Sequence, residues 1–215
     1  MNEKTERETG SARATAHRAI RDVPSLQALA HPTRLALLEA IGLAGAMTAT
    51  QASEVVGESP TACAYHLRML ARLGFVEEAG GGQGRQRPWR LVPTGFTVGE
   101  DPDDPASANA SAALEKILLE RFFSNIRRFG LERSRYAQQV QDVTETIQSI
   151  AFATPEEMTQ LREELIALLS RYVDRLDPEL RPAGGYPFEL IVFTHVLHVP
   201  GLTPGAPDAQ PPPQP

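Results

Sequence analysis

The sequence predicts a mainly α chain carrying a small β wing, and three observations lead there. Between residues 24 and 73 leucines recur at helical spacings, in stretches separated by proline and glycine. Two short β-rich stretches, "FVEEA" and "WRLV", then flank the segment "GGGQGRQRP". Beyond residue 107 a three-four apolar spacing returns in a region with a single glycine and no proline up to residue 149. At 215 residues the chain has room for one large domain or two small ones.

Residues 1–22 are polar and mixed in charge and read as a flexible N-terminal arm. In "VPSLQALAHPTRLALLEAIGLAG", Leu26, Leu29, Leu35, Leu38 and Ile41 mark two helices split at "HPTR". Pro32 suits a first helical position and disfavours helix just before itself, and His31 sits where a cap belongs. Gly42 and Gly45 end the second helix. "MTATQASEVVGES" is a short helix with Thr48 or Thr50 as cap and Gly57 as stop. Ser59 as N-cap, Pro60 at the first turn and Gly74 as stop bound a helix over 60–73. Cys63, Leu67, Leu70 and Leu73 make its apolar stripe, and Thr61, Tyr65, Arg68 and Arg72 occupy another face.

Helix, helix, short helix, capped helix and hairpin is the order of a winged helix-turn-helix over residues 23–98. "TVGEDPDDPASANAS" supplies a linker at 99–106. Over 107–199 the spacing predicts a long dimerisation helix, a second helix and a C-terminal strand. Leu118, Phe122, Ile126, Phe129, Tyr136 and Val140 belong to the stripe of the long helix, which is broken only at Arg133. Roughly 43 helical residues would extend about 65 Å, more than a small domain covers by itself, so a symmetric copy is the expected partner. Thr154, Pro155 and Glu157 open the second helix as a capping box. "FELIVFTHVLHV", apolar on both faces, reads as a strand buried on both sides, and 200–215 as a disordered proline-rich tail.

The formal net charge of −6 is unevenly spread. Residues 99–215 carry ten Lys/Arg against eighteen Asp/Glu, whereas residues 1–98 are slightly basic. Within 59–76 the only charged residues are Arg68 and Arg72, and within 79–99 they are Arg85, Arg87 and Arg90. Local charge decides affinity for a polyanion. The second helix of a helix-turn-helix enters the major groove, where Arg68 can pair with guanine and Arg72 can reach a phosphate. The candidate contacts on that helix are Ser59, Thr61, Ala62, Tyr65, His66, Arg68 and Arg72. At the wing tip they are Gln83, Arg85, Gln86 and Arg87, on a glycine-rich segment able to approach the duplex.

"LQALAHPTRLALLEAI" and "TATQASEVVGESPTACAYHLRMLARLGFVEE" resemble the ArsR-type winged-helix transcriptional regulators, particularly the subgroup with an extended helical C-terminal region. The resemblance covers residues 24–98. It implies a homodimer on a partly palindromic operator of double-stranded DNA, acting as a repressor released by an effector. One departure is Ala64, where the family often has serine two positions before the histidine of its "HL" pair. The metal-sensing members hold paired cysteines in the helix before the recognition helix, and residues 47–57 have neither Cys nor His.

No metal and no cofactor are expected. Cys63 shares the leucine stripe and reads as core packing, with redox or metal sensing as the alternative. His195 and His198, three apart in a strand, face opposite ways, and structural or ligand-lining roles outweigh metal binding. The cluster around Phe122 and Phe129 is dimer core or the lining of a pocket for a small apolar effector. An enzyme is not expected: "GGGQGRQ" follows a strand but leads into "PWRLV" rather than a helix, which meets neither phosphate-binding pattern. A cytoplasmic location without membrane contact is expected, since no apolar run is long enough to span and the N-terminus lacks a secretory core. The rival class is a protein-interaction winged helix that does not bind DNA.

Overall fold

A computed structural model describes residues 17–80, 87–92 and 95–197. The elements in order are β1 (His17–Ile20), α1 (Val23–Leu29), α2 (Pro32–Ala44), α3 (Ala49–Val56), α4 (Pro60–Arg72), β2 (Val76–Glu78), β3 (Trp89–Leu91), β4 (Gly95–Val98), α5 (Pro105–Glu132), α6 (Gln138–Val143) and α7 (Pro155–Ser170). Short 3-10 turns follow α5 and α7. The mainly helical fold with a small wing is therefore as the sequence predicts.

Local chemistry explains most boundaries. Asp22 caps α1 by accepting from the Ser25 amide, and Thr48 with Gln51 forms a reciprocal capping box on α3. Thr154 and Glu157 do the same for α7. Leu26, Leu29, Leu37, Ile41, Leu67, Leu70, Phe75 and Val76 close one core between α1, α2, α4 and the hairpin. β2 and β3 pair antiparallel, and Met47 joins their edge through a reciprocal bridge to Trp89 at 3.0 and 2.7 Å. The wing is thereby tied to the segment leading into α3.

Gly45 and Gly57 both stand at helix C-termini with positive φ, 84° and 78°. A Cβ on Gly57 would meet open space, whereas one on Gly45 would lie 2.8 Å from Cδ of Pro178. Gly57→Ala is expected to cost about 1–2 kcal/mol, the backbone strain alone. Gly45→Ala should cost more, because the turn at Pro178–Leu180 has to move as well. Paired denaturant titrations measure the difference, and equal losses would mean that this turn does not rest on α2.

Four expectations need correction. The arm read through residue 22 is structured from His17: β1 pairs parallel with β4, and Ile20 is fully buried in the core. The linker ends two residues early, because Asp104 accepts from the Ala106 amide and starts α5 at Pro105.

The single helix expected over 107–149 stops at Glu132. A 3-10 turn at Arg133–Arg135 and an extended Tyr136 separate it from α6. The stop falls where Arg133 interrupts the apolar stripe, just past Gly130. The open carbonyls at the end of α6 find side-chain donors: Arg133 donates to the Gln141 carbonyl at 2.5 Å, and the Thr144 hydroxyl donates to Val140 and Gln141.

Finally, the C-terminal strand buried on both sides is absent from its described part, residues 188–197, which are mostly exposed and form no ladder. No described strand runs alongside to pair their backbone groups. The buried part of α5 is its first half, where Ser107, Ala110, Ser111 and Leu114 lie against the core. Past Leu114 no described residue is buried. Among the described residues no helix is long and apolar enough to cross a membrane.

Candidate nucleic-acid interface

The second helix of the pair is presented by a tight turn. Gly57 ends α3 in the left-handed region, and Thr33 Oγ1 donates to Glu58 at 3.3 Å, holding the turn against α2. The Ser59 hydroxyl accepts from the Ala62 amide at 3.1 Å, so this candidate contact serves as the cap of α4. Cys63, Leu67 and Leu70 are buried, which turns the opposite face outward. Thr61, Tyr65, Arg68 and Arg72 are all exposed, while Ala62 and His66 are half-buried. No carboxylate among the described residues pairs with Arg68 or Arg72. Arg72 donates to the Met69 sulfur at 3.8 Å. The face therefore offers a hydroxyl, a phenol and two guanidiniums at helical spacing, a set suited to base edges and phosphates.

His66 is turned partly inward. Its ring lies 4.7 Å from that of His31 and 5.3 Å from Tyr65, and Arg34 Nε donates to its Nδ1 at 3.4 Å. Nδ1 as acceptor requires the neutral imidazole. Burial, then the positive neighbours His31 and Arg34, push its pKa below the ordinary histidine value of 6.5, against a smaller opposing pull from Glu58. In the unfolded chain His66 takes a proton more readily, so stability is retained above pH 6.5 and lost as pH falls toward the depressed folded value. His17 on β1 is also lowered, by burial, and acts in the same direction. Thermal melts from pH 7.5 to 5 should show an acid-side fall that is flattened in His66→Gln; an unchanged slope would sever His66 from it.

The hairpin carries its charge differently from a free basic tip. Glu77 pairs with Arg90 at 2.5 Å and Glu78 with Arg87 at 2.6 Å, both across β2 and β3 or their margin. The hydrogen bond and charge of Glu78 raise the pKa of Arg87. Gln83, Arg85 and Gln86 lie outside the described residues. With Arg87 engaged by an acid, Glu78→Gln is expected to raise affinity for random duplex DNA. It should also steepen the log affinity against log salt slope by up to about 0.9, the value for one phosphate contact. Titrations between 50 and 200 mM salt on the order of the usual range read this directly; an unchanged slope would mean that Arg87 does not reach the backbone.

Cys63 is fully buried, and burial followed by the Glu58 charge raises its thiol pKa, which suppresses the reactive thiolate. Among the described residues no three His, Cys, Asp or Glu side chains converge as a metal site. On α5, Leu118, Phe122 and Phe129 are half-buried and Ile126 is exposed; Tyr136 and Val140, half-buried, lie beyond the helix end. Phe129 and Tyr136 rings meet at 5.5 Å. None of these six lines the cleft of about 540 Å³ between α2, α3 and α5, which uses Leu35, Leu43, Val55, Ile117, Arg121 and Arg128. Arg121 pairs there with Glu39, and burial lowers its pKa. This cleft was missed by sequence reasoning, although Ile117, Arg121 and Arg128 share one stripe at steps of four and seven.

No curated protein matches the chain. Residues 29–79 match the family model described as a helix-turn-helix domain. That span contains α3, the Gly57 turn and α4, so the segment that presents Arg68 and Arg72 is a helix-turn-helix, which supports a DNA-binding regulator.

Proposed function

We propose that the chain is a sequence-specific transcriptional repressor of the ArsR type, a homodimer on a partly palindromic operator, and a binding protein rather than an enzyme. The outward face of α4, with Thr61, Tyr65, Arg68 and Arg72 and no acid among them, carries the reading. Among the described residues none past Leu114 is buried, which supports the dimer, because a single copy leaves the stripe of α5 and the described segments after it without a core. A small apolar effector is assigned to the Phe122–Phe129 region of α5, where aromatic side chains stand partly open. The pairing of Glu77 and Glu78 with wing arginines favours one rival, a winged helix that binds protein, since it reduces free positive charge.

Selection of bound sequences from random duplex DNA at about 150 mM salt separates the two, because non-specific binding is weak there. Recovery of a palindrome establishes the dimeric sequence reader, and its half-site spacing gives the separation of the two α4 helices. Absence of enrichment by folded, dimeric protein overturns the reading in favour of the protein-binding module.

A further inference from the structure

Residues 188–197, Phe-Glu-Leu-Ile-Val-Phe-Thr-His-Val-Leu, combine strong β preference with exposure. Phe188 is 67% and Val196 76% exposed, and Leu190, Val192 and Phe193 are also exposed. Among the described residues, residues 188–196 make no backbone hydrogen bond to a neighbouring strand. The segment lies beside α5, where Asn125 Nδ2 donates to Glu189 at 3.3 Å, and Phe188 meets the Tyr172 ring edge-on at 5.8 Å. Ile126 of α5, exposed, is one residue from that hydrogen bond. An apolar, β-preferring segment whose residues 188–196 have no strand partner is a template for another strand.

The sequence indicates which strand. Glu189 and His195 are the only titratable residues in 188–197, and each is three residues from Val192. In an antiparallel ladder folded about Val192, Glu189 of one copy therefore stands opposite His195 of the other. The same register sets Phe188 against Val196, Ile191 against Phe193 and Val192 against itself. Leu190 falls against Thr194, the other apolar residues of 188–196 meet apolar residues, and the acid meets the imidazole, favourable cross-strand pairs. A foreign strand would have no reason to match that symmetry.

We infer that residues 188–197 pair with the same segment of a second copy, antiparallel and centred on Val192, adding a two-stranded ladder to the dimer. This rests on the homodimer proposed above and specifies where its C-terminal halves meet. A two-fold axis through Val192 makes the contact isologous, as closed dimers require. The ladder satisfies the exposed backbone groups and keeps the side of Glu189 and Ile191 toward α5, where Asn125 bonds Glu189, with Phe188, Leu190, Val192, Thr194 and Val196 on the other side.

The test is cysteine cross-linking in the full chain with diamide, which takes two hydrogens from a pair of thiols as the disulfide forms. Val192→Cys brings two thiols to directly opposite positions, where Cβ atoms lie about 4.5–5.5 Å apart. Phe188→Cys is the control, because its two copies would stand eight residues apart along the ladder, about 27 Å. The double variant Phe188→Cys/Val196→Cys should cross-link again. Wild-type protein, whose Cys63 is buried, sets the background. Sedimentation of the wild type is run alongside. A dimer in which Val192→Cys cross-links on the order of tenfold faster than Phe188→Cys supports the ladder, the gain being one of effective concentration. A dimer in which the two variants react equally overturns the ladder and leaves the dimer standing. A monomeric wild type overturns both.

Discussion

Phe75→Ala is expected to destabilise the protein by about 3–5 kcal/mol, the usual loss for deleting a buried phenyl ring. Phe75 is 1% exposed and is the largest fully buried side chain among the described residues. It follows α4 directly, with its amide bonded to Leu70 and its carbonyl accepting from Val92 at 3.1 Å. The Arg18 guanidinium lies 4.6 Å from the ring centroid. Arg18 also donates to the Leu73 carbonyl at 2.5 Å and to the Ser25 hydroxyl at 3.2 Å. The Phe75 ring and the Arg18 guanidinium above it thus together join β1, α1, the end of α4 and the hairpin.

A loss of that size is a large share of the roughly 5–15 kcal/mol that a domain has in total. Arg18→Ala should cost less: the cation over the ring contributes about 0.5–2 kcal/mol, and the two hydrogen bonds lost with it are part-buried, so water can replace the donor. Phe75→Leu, which keeps most of the volume, should fall between them. Guanidinium titrations followed by circular dichroism give all three values. A Phe75→Ala loss below that of Arg18→Ala would show that the ring is not the joint described here.

Reading the sequence succeeded where the determinant is local. Ser59 and Pro60 start α4 and Gly74 follows its end, each acting on neighbours a few residues away, and Thr154 with Glu157 starts α7 by the same short-range chemistry. The outward placement of Thr61, Tyr65, Arg68 and Arg72 follows from the burial of Cys63, Leu67 and Leu70 on a 3.6-residue period. What failed depended on distant partners. β1 is four residues long and exists because Gly95–Val98, far along the chain, runs parallel to it. Its sequence, His-Arg-Ala-Ile, has no alternation long enough to announce a strand. The long helix carried its spacing past Arg133, yet periodicity says which face would be buried and not whether anything is there to bury it. The strand at 188–197 failed for that reason too: its composition suits a ladder that a single copy does not provide. Wing charge depended on partners across the hairpin too: Glu77 pairs with Arg90 on the facing strand, and Glu78 with Arg87 just before it, so the arginines of 79–99 are not all free.

Arg68→Ala is expected to reduce operator affinity by about 1–3 kcal/mol, roughly 5- to 150-fold, while changing affinity for random DNA little. Arg68 is exposed in mid-helix, and alanine is a strong helix former, so folding should not suffer. A guanidinium at that position can make a bidentate pair with a guanine edge, a contact that random sequence rarely rewards. Removing Arg85 and Arg87 together should behave in the opposite way, lowering affinity for specific and random duplexes alike and flattening the salt slope. The change should fall short of about 1.8, the value for two phosphate contacts at 0.9 each. Arg87 is already paired with Glu78, so part of its charge is spent before DNA arrives, and its removal leaves Glu78 as an unpaired acid facing the backbone. Arg87→Ala/Glu78→Gln separates these contributions, because it deletes both members of the ion pair at no net change in charge. If that double variant binds random DNA as the wild type does while Arg87→Ala binds it more weakly, the ion pair sets the basal affinity of the wing. Equal losses for specific and random DNA in Arg68→Ala would instead remove α4 as the sequence reader, since a phosphate contact lowers every duplex to the same extent and a base contact cannot.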